Sequence, residues 1–241
     1  MTKASYVILV HGAWADGSSW SKVIPLLLDG GLRATAVQLP LTSLTDDVAT
    51  VKRAIALEDG PIILVGHSYG GVVITQAGGD SKVAGLVYIA AFAPDVGQSV
   101  GSLGANVEPA PLGSEVRPDS QGFLKLTESG VKNDFAQDLT PTEKSILFAA
   151  QAPTAAAVFG ANVSVASWKD KPSWYLVATA DRAIPPSLER AMAKAINAKT
   201  VEITSSHVAM LARPKEAANL ILEAAGRGSP SKFGTEDRLT R

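Results

Sequence analysis

Ile62-Ile63-Leu64-Val65-Gly66-His67-Ser68-Tyr69-Gly70-Gly71-Val72-Val73-Ile74-Thr75-Gln76-Ala77 sets a strand, a turn and a helix end to end. Ile62 to Val65 is an unbroken apolar run, the pattern of a strand buried on both faces. Val72 to Ala77 reads as a short helix stopped by Gly78-Gly79. Between them, Gly66-His67-Ser68-Tyr69-Gly70 fits the pattern G-x-S-x-G. A strand entering a helix through so short a turn raises the Ser68 hydroxyl at the carboxyl end of a sheet, and the flanking glycines let strand and helix approach. Gly97-Gln98-Ser99-Val100-Gly101 matches the same pattern. It follows Pro94-Asp95 and runs into Ser102-Leu103-Gly104 with neither strand nor helix expected beside it, so Ser99 reads as a loop residue.

The same alternation continues on both sides. Tyr6 to Val10 is a strand, and Ser18 and Ser19 can cap a helix carrying Trp20, Val23, Ile24, Leu27 and Leu28, with Pro25 delaying or kinking it. Leu32 to Leu39 is a second strand, and Asp46-Asp47 opens a second helix. Val83 to Phe92, Trp174 to Ala178 and Thr200 to Thr204 are further strands, with helices at Pro186 to Ile196 and Pro214 to Ala225. Short apolar strands alternating with helices predict an α/β fold, a doubly wound, mostly parallel six-stranded sheet with helices on both faces. Residues 1–93 and 172–226 form this core. The alternation lapses over 94–171, which is polar and irregular at first and then helical around Pro141 to Phe148 and Ala155 to Phe159. An insert of this length predicts a helical cap over an active site. Residues 227–241 are polar, have no apolar period and read as a flexible tail.

The chain has 241 residues, 46% of them hydrophobic, enough for one domain with a sizeable core. With 22 Lys+Arg against 23 Asp+Glu the net charge is -1, which gives no footprint for nucleic acid or an anionic membrane. The absence of cysteine excludes a disulfide framework, a Cys nucleophile, an iron–sulfur cluster and a thiolate zinc site. No cofactor and no metal is expected. Val7 to Val10 is too short for a signal-peptide core or a membrane span, and together with the lack of cysteine this favours the cytoplasm.

A serine hydroxyl attacks well only if a base removes its proton. The candidates are His11, His67 and His207. His67 neighbours Ser68 on an extended segment and so points away from it, packing under the turn. His11 ends the first strand and reads as structural. His207, in the loop after the last strand, is the expected base. A carboxylate must orient it, and Asp181 and Asp95 both follow strands; the order Ser68, Asp181, His207 suits the chemistry, and so does Asp95 in that place. The amides of Tyr69, after the nucleophile, and of Ala13, in His11-Gly12-Ala13-Trp14, are the expected oxyanion donors. Gly12, Trp14, Phe123, Leu126, Phe148 and Phe159 are candidates for the substrate pocket.

Val10-His11-Gly12-Ala13-Trp14, Gly66 to Gly71, Asp181-Arg182-Ala183-Ile184-Pro185-Pro186 and Ser206-His207-Val208-Ala209-Met210-Leu211 together resemble an α/β-hydrolase. More narrowly, they are similar to the branch of plant methyl-ester esterases, hydroxynitrile lyases and small bacterial esterases. The resemblance implies Asp181 rather than Asp95 as the carboxylate, and a helical cap enclosing a small apolar pocket. The lyases of that branch carry Thr after the first-strand histidine and Lys after the catalytic histidine, where this chain has Gly12 and Val208. It therefore sides with the esterases, and the expectation is a carboxylesterase acting on a small neutral ester through an acyl-enzyme. A lyase-like or cofactor-free haloperoxidase-like enzyme and a small-molecule receptor are the alternatives.

Overall fold

The computed structural model describes residues 3–227. Its strands are β1 (Tyr6–Val10), β2 (Arg33–Ala36), β3 (Ile62–Ser68), β4 (Val83–Ala91), β5 (Val116–Pro118), β6 (Phe123–Leu126), β7 (Thr154–Ala155), β8 (Ser173–Ala178) and β9 (Lys199–Ile203). Its α-helices are α1 (Ile24–Asp29), α2 (Leu44–Ala56), α3 (Gly70–Ala77), α4 (Val100–Gly104), α5 (Glu128–Gly130), α6 (Pro141–Ala150), α7 (Ala157–Gly160), α8 (Pro186–Ala195), α9 (Ala209–Ala212) and α10 (Pro214–Ala224). Six strands form the expected sheet in the order β2-β1-β3-β4-β8-β9, every pair parallel.

Side-chain alternation along these strands supplies two separate cores. Ile8 and Val10 of β1, Leu64 of β3, Tyr88 of β4 and Tyr175 and Val177 of β8 pack on one face with α2, α3 and α8. Val7 and Leu9, Ile63 and Val65, Val87 and Ile89, and Trp174 and Leu176 pack on the other with α10.

Several element ends differ from expectation for local reasons. β2 is shorter than Leu32 to Leu39, because the Leu39 N–H is bonded by His11 Nε2 at 2.9 Å rather than by a neighbouring strand. α1 starts only at Ile24, which places Pro25 in the first turn, where a missing N–H costs nothing. The turn before it, Gly17–Trp20, is capped by Asp16 rather than by Ser18 or Ser19. α2 begins at Leu44, two residues before Asp46, with Ser43 accepting from the Asp46 N–H.

The 94–171 segment contains helices, α6 among them, but also a three-stranded antiparallel sheet, β5-β6-β7, that a purely helical insert does not include. The turn between β5 and β6 is built by Asp119, whose carboxylate accepts from Gln121 N–H at 2.8 Å and Phe123 N–H at 2.9 Å, with Gly122 at φ 82°. Ser99 is not a loop residue: it caps α4 and exchanges a capping box with Ser102. The segment is bonded to loops at the carboxyl ends of three core strands. Thr154 Oγ1 accepts from Trp14 N–H at 3.0 Å, Arg182 O accepts from Leu112 N–H at 3.1 Å, and Asp138 Oδ2 accepts from Ser206 N–H at 2.8 Å. Of the tail expected from Arg227 on, Arg227 itself is tied to Ala4 O at 3.1 Å, and the rest lies outside the described residues.

Candidate active site

β3 runs directly into α3, and the turn between them forces Ser68 to φ 52°, a left-handed conformation unusual for a residue with a Cβ. Two glycines make that turn possible. A Cβ on Gly66 would stand 2.6 Å from Gly70 O, and one on Gly12 would stand 2.7 Å from Ser68 Cβ. The β1 loop thus reaches the serine only because position 12 has no side chain. Ser68 keeps 8% of its surface exposed in this otherwise closed corner.

All three histidines are buried, and their partners fix the Nδ1–H tautomer in His11 and His207 and the Nε2–H tautomer in His67. His11 donates from Nδ1 to Gly12 O at 2.8 Å and accepts at Nε2 from Leu39 N–H, which ties the β1 loop to the strand beside it. His67 lies beneath the turn and donates from Nε2 to His207 O at 2.9 Å, leaving Nδ1 without a partner. Burial lowers both imidazoles below their ordinary range, His67 most strongly, so both are neutral. His207 pairs through Nδ1 with Asp181 Oδ2 at 2.6 Å, their side chains 1% and 0% exposed. Donation from Nδ1 leaves the Nε2 lone pair of His207 free, with no donor to it among the described residues, Ser68 Oγ included.

Asp181 is held at its other oxygen. Oδ1 accepts from Ala183 N–H at 2.6 Å and Ile184 N–H at 2.9 Å, so one carboxylate both shapes the turn leading to Pro185 and faces the imidazole. Asp95 is elsewhere: its half-exposed carboxylate pairs with Lys169 at 2.5 Å and bonds its neighbour's Val96 N–H. Among the described residues the backbone N–H groups of Ala13 and Tyr69 have no acceptor. The Tyr69 side chain is fixed behind the turn, its hydroxyl donating to Asp47 Oδ2 at 2.8 Å. A hydroxyl raised on a strained turn, an imidazole with one free lone pair and two unspent amides are the parts that nucleophilic acyl transfer uses.

The pocket candidates divide. Trp14, itself at φ 58°, has its ring 5.6 Å from that of Phe159, and Phe159 lies 6.2 Å from Tyr69; Phe123 packs in the same cluster. Trp14 Nε1 also donates to Leu124 O at 3.0 Å, joining the β1 loop to β6. Leu126 and Phe148 belong to the opposite cluster, where Gln151 bridges them: its side chain accepts from Leu126 N–H at 2.7 Å and donates to Phe148 O at 3.1 Å. Sequence reasoning missed Phe135, whose ring is 5.2 Å from His207. It sits in a π-helical turn, Val131–Phe135, where neither helical nor strand periodicity applies. Among the described residues no group of three or more His, Cys, Asp or Glu is arranged to hold a metal ion, and no helix is long and apolar enough to cross a membrane.

The chain is 28% identical to salicylic acid-binding protein 2 of Nicotiana tabacum over 93% of its length and 98% of the relative's. It is 25% identical to methylesterase 1 of Arabidopsis thaliana over 93% of its length and 97% of that protein's. Among solved structures, a pyrethroid hydrolase from Sphingobium faniae superposes with a TM-score of 0.80 at 24% identity, covering 95% of this chain and 99% of the other. A model of the alpha/beta hydrolase family matches residues 7–220, nearly the whole of the core and its insert, and the chain belongs to that family.

Proposed function

We propose that the protein is a serine carboxylesterase acting on small neutral esters, with Ser68, His207 and Asp181 as its catalytic triad. The observation that carries this reading is the buried 2.6 Å pair between His207 Nδ1 and Asp181 Oδ2, in a loop bonded to the strand that presents Ser68. Asp181 holds His207 in the tautomer whose Nε2 can accept a proton. Ser68 Oγ attacks the ester carbonyl, and His207 takes its proton and passes it to the departing alcohol. The negative charge on the tetrahedral oxygen is met by the amides of Ala13 and Tyr69, which need no reorganisation because the protein uses them for nothing else. Water then enters, His207 again removes a proton, and the acyl group leaves as the acid.

Methylesterase 1, among the named relatives, supports an ester as substrate. Trp14, Phe123 and Phe159, grouped beside Tyr69, would form the apolar wall that receives it. The side chain at Val208 is uncharged and buried, which suits an ester better than a substrate releasing an anion beside the base.

The test is intact mass after treatment with a fluorophosphonate, alongside turnover of a short p-nitrophenyl ester. Wild type and Ser99→Ala should label and turn over alike, and Ser68→Ala should do neither, losing about 10⁶-fold in kcat. Labelling that survives in Ser68→Ala would place the nucleophile elsewhere. Labelling at Ser68 without ester turnover would keep the triad and reject the substrate class.

A further inference from the structure

A second carboxyl group is buried against the turn that carries Asp181. Glu189 lies on the buried face of α8 with Leu188, Met192 and Ala193, and is 0% exposed. One of its oxygens, Oε2, accepts from Ala178 N–H at 3.1 Å, and Oε1 has no donor at all. Ala178 O in turn accepts from Asp181 N–H at 3.1 Å, which ties Glu189 to the turn carrying Asp181 and sets the two carboxyls against each other as hydrogen-bond partners. Two carboxylates cannot make such a contact, since neither has a proton to give. One proton between them resolves both the contact and the orphaned oxygen.

The donor count decides where that proton resides. Asp181 receives three donors, from Ala183, Ile184 and His207, whereas Glu189 receives one, from Ala178. Negative charge is best held where the donors converge, so Asp181 carries the charge and Glu189 the proton. The other groups around Glu189 do not alter this. Tyr175 spends its hydroxyl on Ala91 O, and Arg190, on the same helix, points outward to Glu202 at 2.7 Å. Burial, and next the charge of Asp181, push the Glu189 carboxyl well above the usual carboxylate range.

We propose that Glu189 is a positioning residue, a neutral carboxylic acid whose O–H donates to the Asp181 carboxylate and fixes it against His207. The proposal rests on the reading of Asp181 and His207 given above, but the state of Glu189 is measurable without it. Through this contact α8 holds the orienting carboxylate together with the 183–184 amides. Once rising pH strips that proton from Glu189, two carboxylates face each other, Asp181 is driven from its place, and turnover declines.

Three proteins test this: wild type, Glu189→Gln and Glu189→Leu. Gln keeps an acceptor for Ala178 N–H and a donor for Asp181, whereas Leu keeps neither. The infrared spectrum of wild type near neutral pH should contain a protonated-carboxyl stretch that Glu189→Gln removes. Glu189→Gln should keep kcat within about threefold of wild type and lose the decline with rising pH, while Glu189→Leu should lose roughly 10–100-fold in kcat with KM little changed. The absence of that carboxyl band in wild type would overturn the proposal, as would a Glu189→Leu enzyme as active as Glu189→Gln. Should Ser68 fail to label while the band is present and removed by Glu189→Gln, the esterase reading would fall and the protonation of Glu189 would stand.

Discussion

His67 donates from Nε2 to the main-chain oxygen of His207 at 2.9 Å, so the strand that presents Ser68 also holds the loop that presents His207. The two rings lie 4.6 Å apart, and His67 is fully buried. His67→Leu fills much of the same space but leaves the buried His207 carbonyl without a donor. The expected cost is about 1–3 kcal/mol of stability, together with slower labelling of Ser68 as the His207 loop loosens. Denaturant midpoints and fluorophosphonate labelling rates measure the two effects, and an unchanged labelling rate would show that this bond does not set the position of His207.

Stability should decline on mild acidification. Burial holds His67 and His11 neutral, lowering both below the ordinary value of 6.5. As pH falls through 6.5 the unfolded chain takes up two protons that the native state refuses, so the unfolded state binds more and stability drops. Each imidazole contributes up to about 1.4 kcal/mol per pH unit there. Glu189 acts in the opposite sense. Its carboxyl is raised above the ordinary 4.5, so between that value and its native one the folded state keeps a proton that the unfolded chain releases, and stability falls as pH rises. Below pH 6.5, where the unfolded histidines are mostly protonated, two protons outweigh one and the net effect is loss towards acid. Glu189→Gln removes the opposing contribution and should steepen that loss. Urea unfolding at pH 6.0 and 5.0 reads the difference, and stability that rises on acidification would mean that one of the imidazoles is charged in the fold.

The core was legible because its strands are apolar on both faces and its turns are marked by glycine. Ile62 to Ala77 announces strand, turn and helix by local chemistry, and Asp181 and His207 follow strands whose order along the chain is plain. What was not legible depends on contacts distant in sequence. β2 ends early because a side chain from the β1 loop takes its amide, and nothing in Leu32 to Leu39 records that. The insert's sheet has strands of two to four residues, too short for alternation to register, and one is extended by the side chain of Gln151 rather than by backbone. Phe135 reaches His207 through a π-helical turn. Glu189 did leave a trace. It falls on the inner side of α8 between Leu188 and Met192, where a charged residue is out of place, and a buried carboxyl so close in sequence to Asp181 is a cue worth following.

Asp181→Asn and Asp95→Asn separate the two carboxylates that sequence order alone could not. Asn at 181 can still accept at one atom, but it presents no charge to His207 and can donate to Nδ1, favouring the wrong tautomer. The expected loss in kcat is about 10³–10⁴-fold with binding retained. Asp95→Asn removes only an exposed pair with Lys169, and activity should be unchanged. Single-turnover acylation rates give the cleanest comparison. A deep loss from the Asp95 variant would move the orienting role to that loop.

Tyr69→Phe tests how the turn after Ser68 is anchored. The Tyr69 hydroxyl is one of two donors to the buried Asp47, the other being Leu41 N–H at 2.9 Å. Burial already pushes the Asp47 carboxyl upward, with the Tyr69 bond working against it. Removing the hydroxyl therefore leaves a buried carboxylate with a single donor, at an expected cost of about 1–3 kcal/mol. If the cost comes from that uncompensated charge, it should shrink when Asp47 is also made Asn, because a neutral amide needs fewer donors. The four denaturation midpoints of wild type, Tyr69→Phe, Asp47→Asn and the double variant form a closed cycle. A coupling near zero would mean that the loss of the hydroxyl is not felt at Asp47, and that Asp47 does not fix the segment carrying the Tyr69 amide. A coupling above about 1 kcal/mol would tie α2, through Asp47, to the backbone N–H proposed to meet the oxyanion.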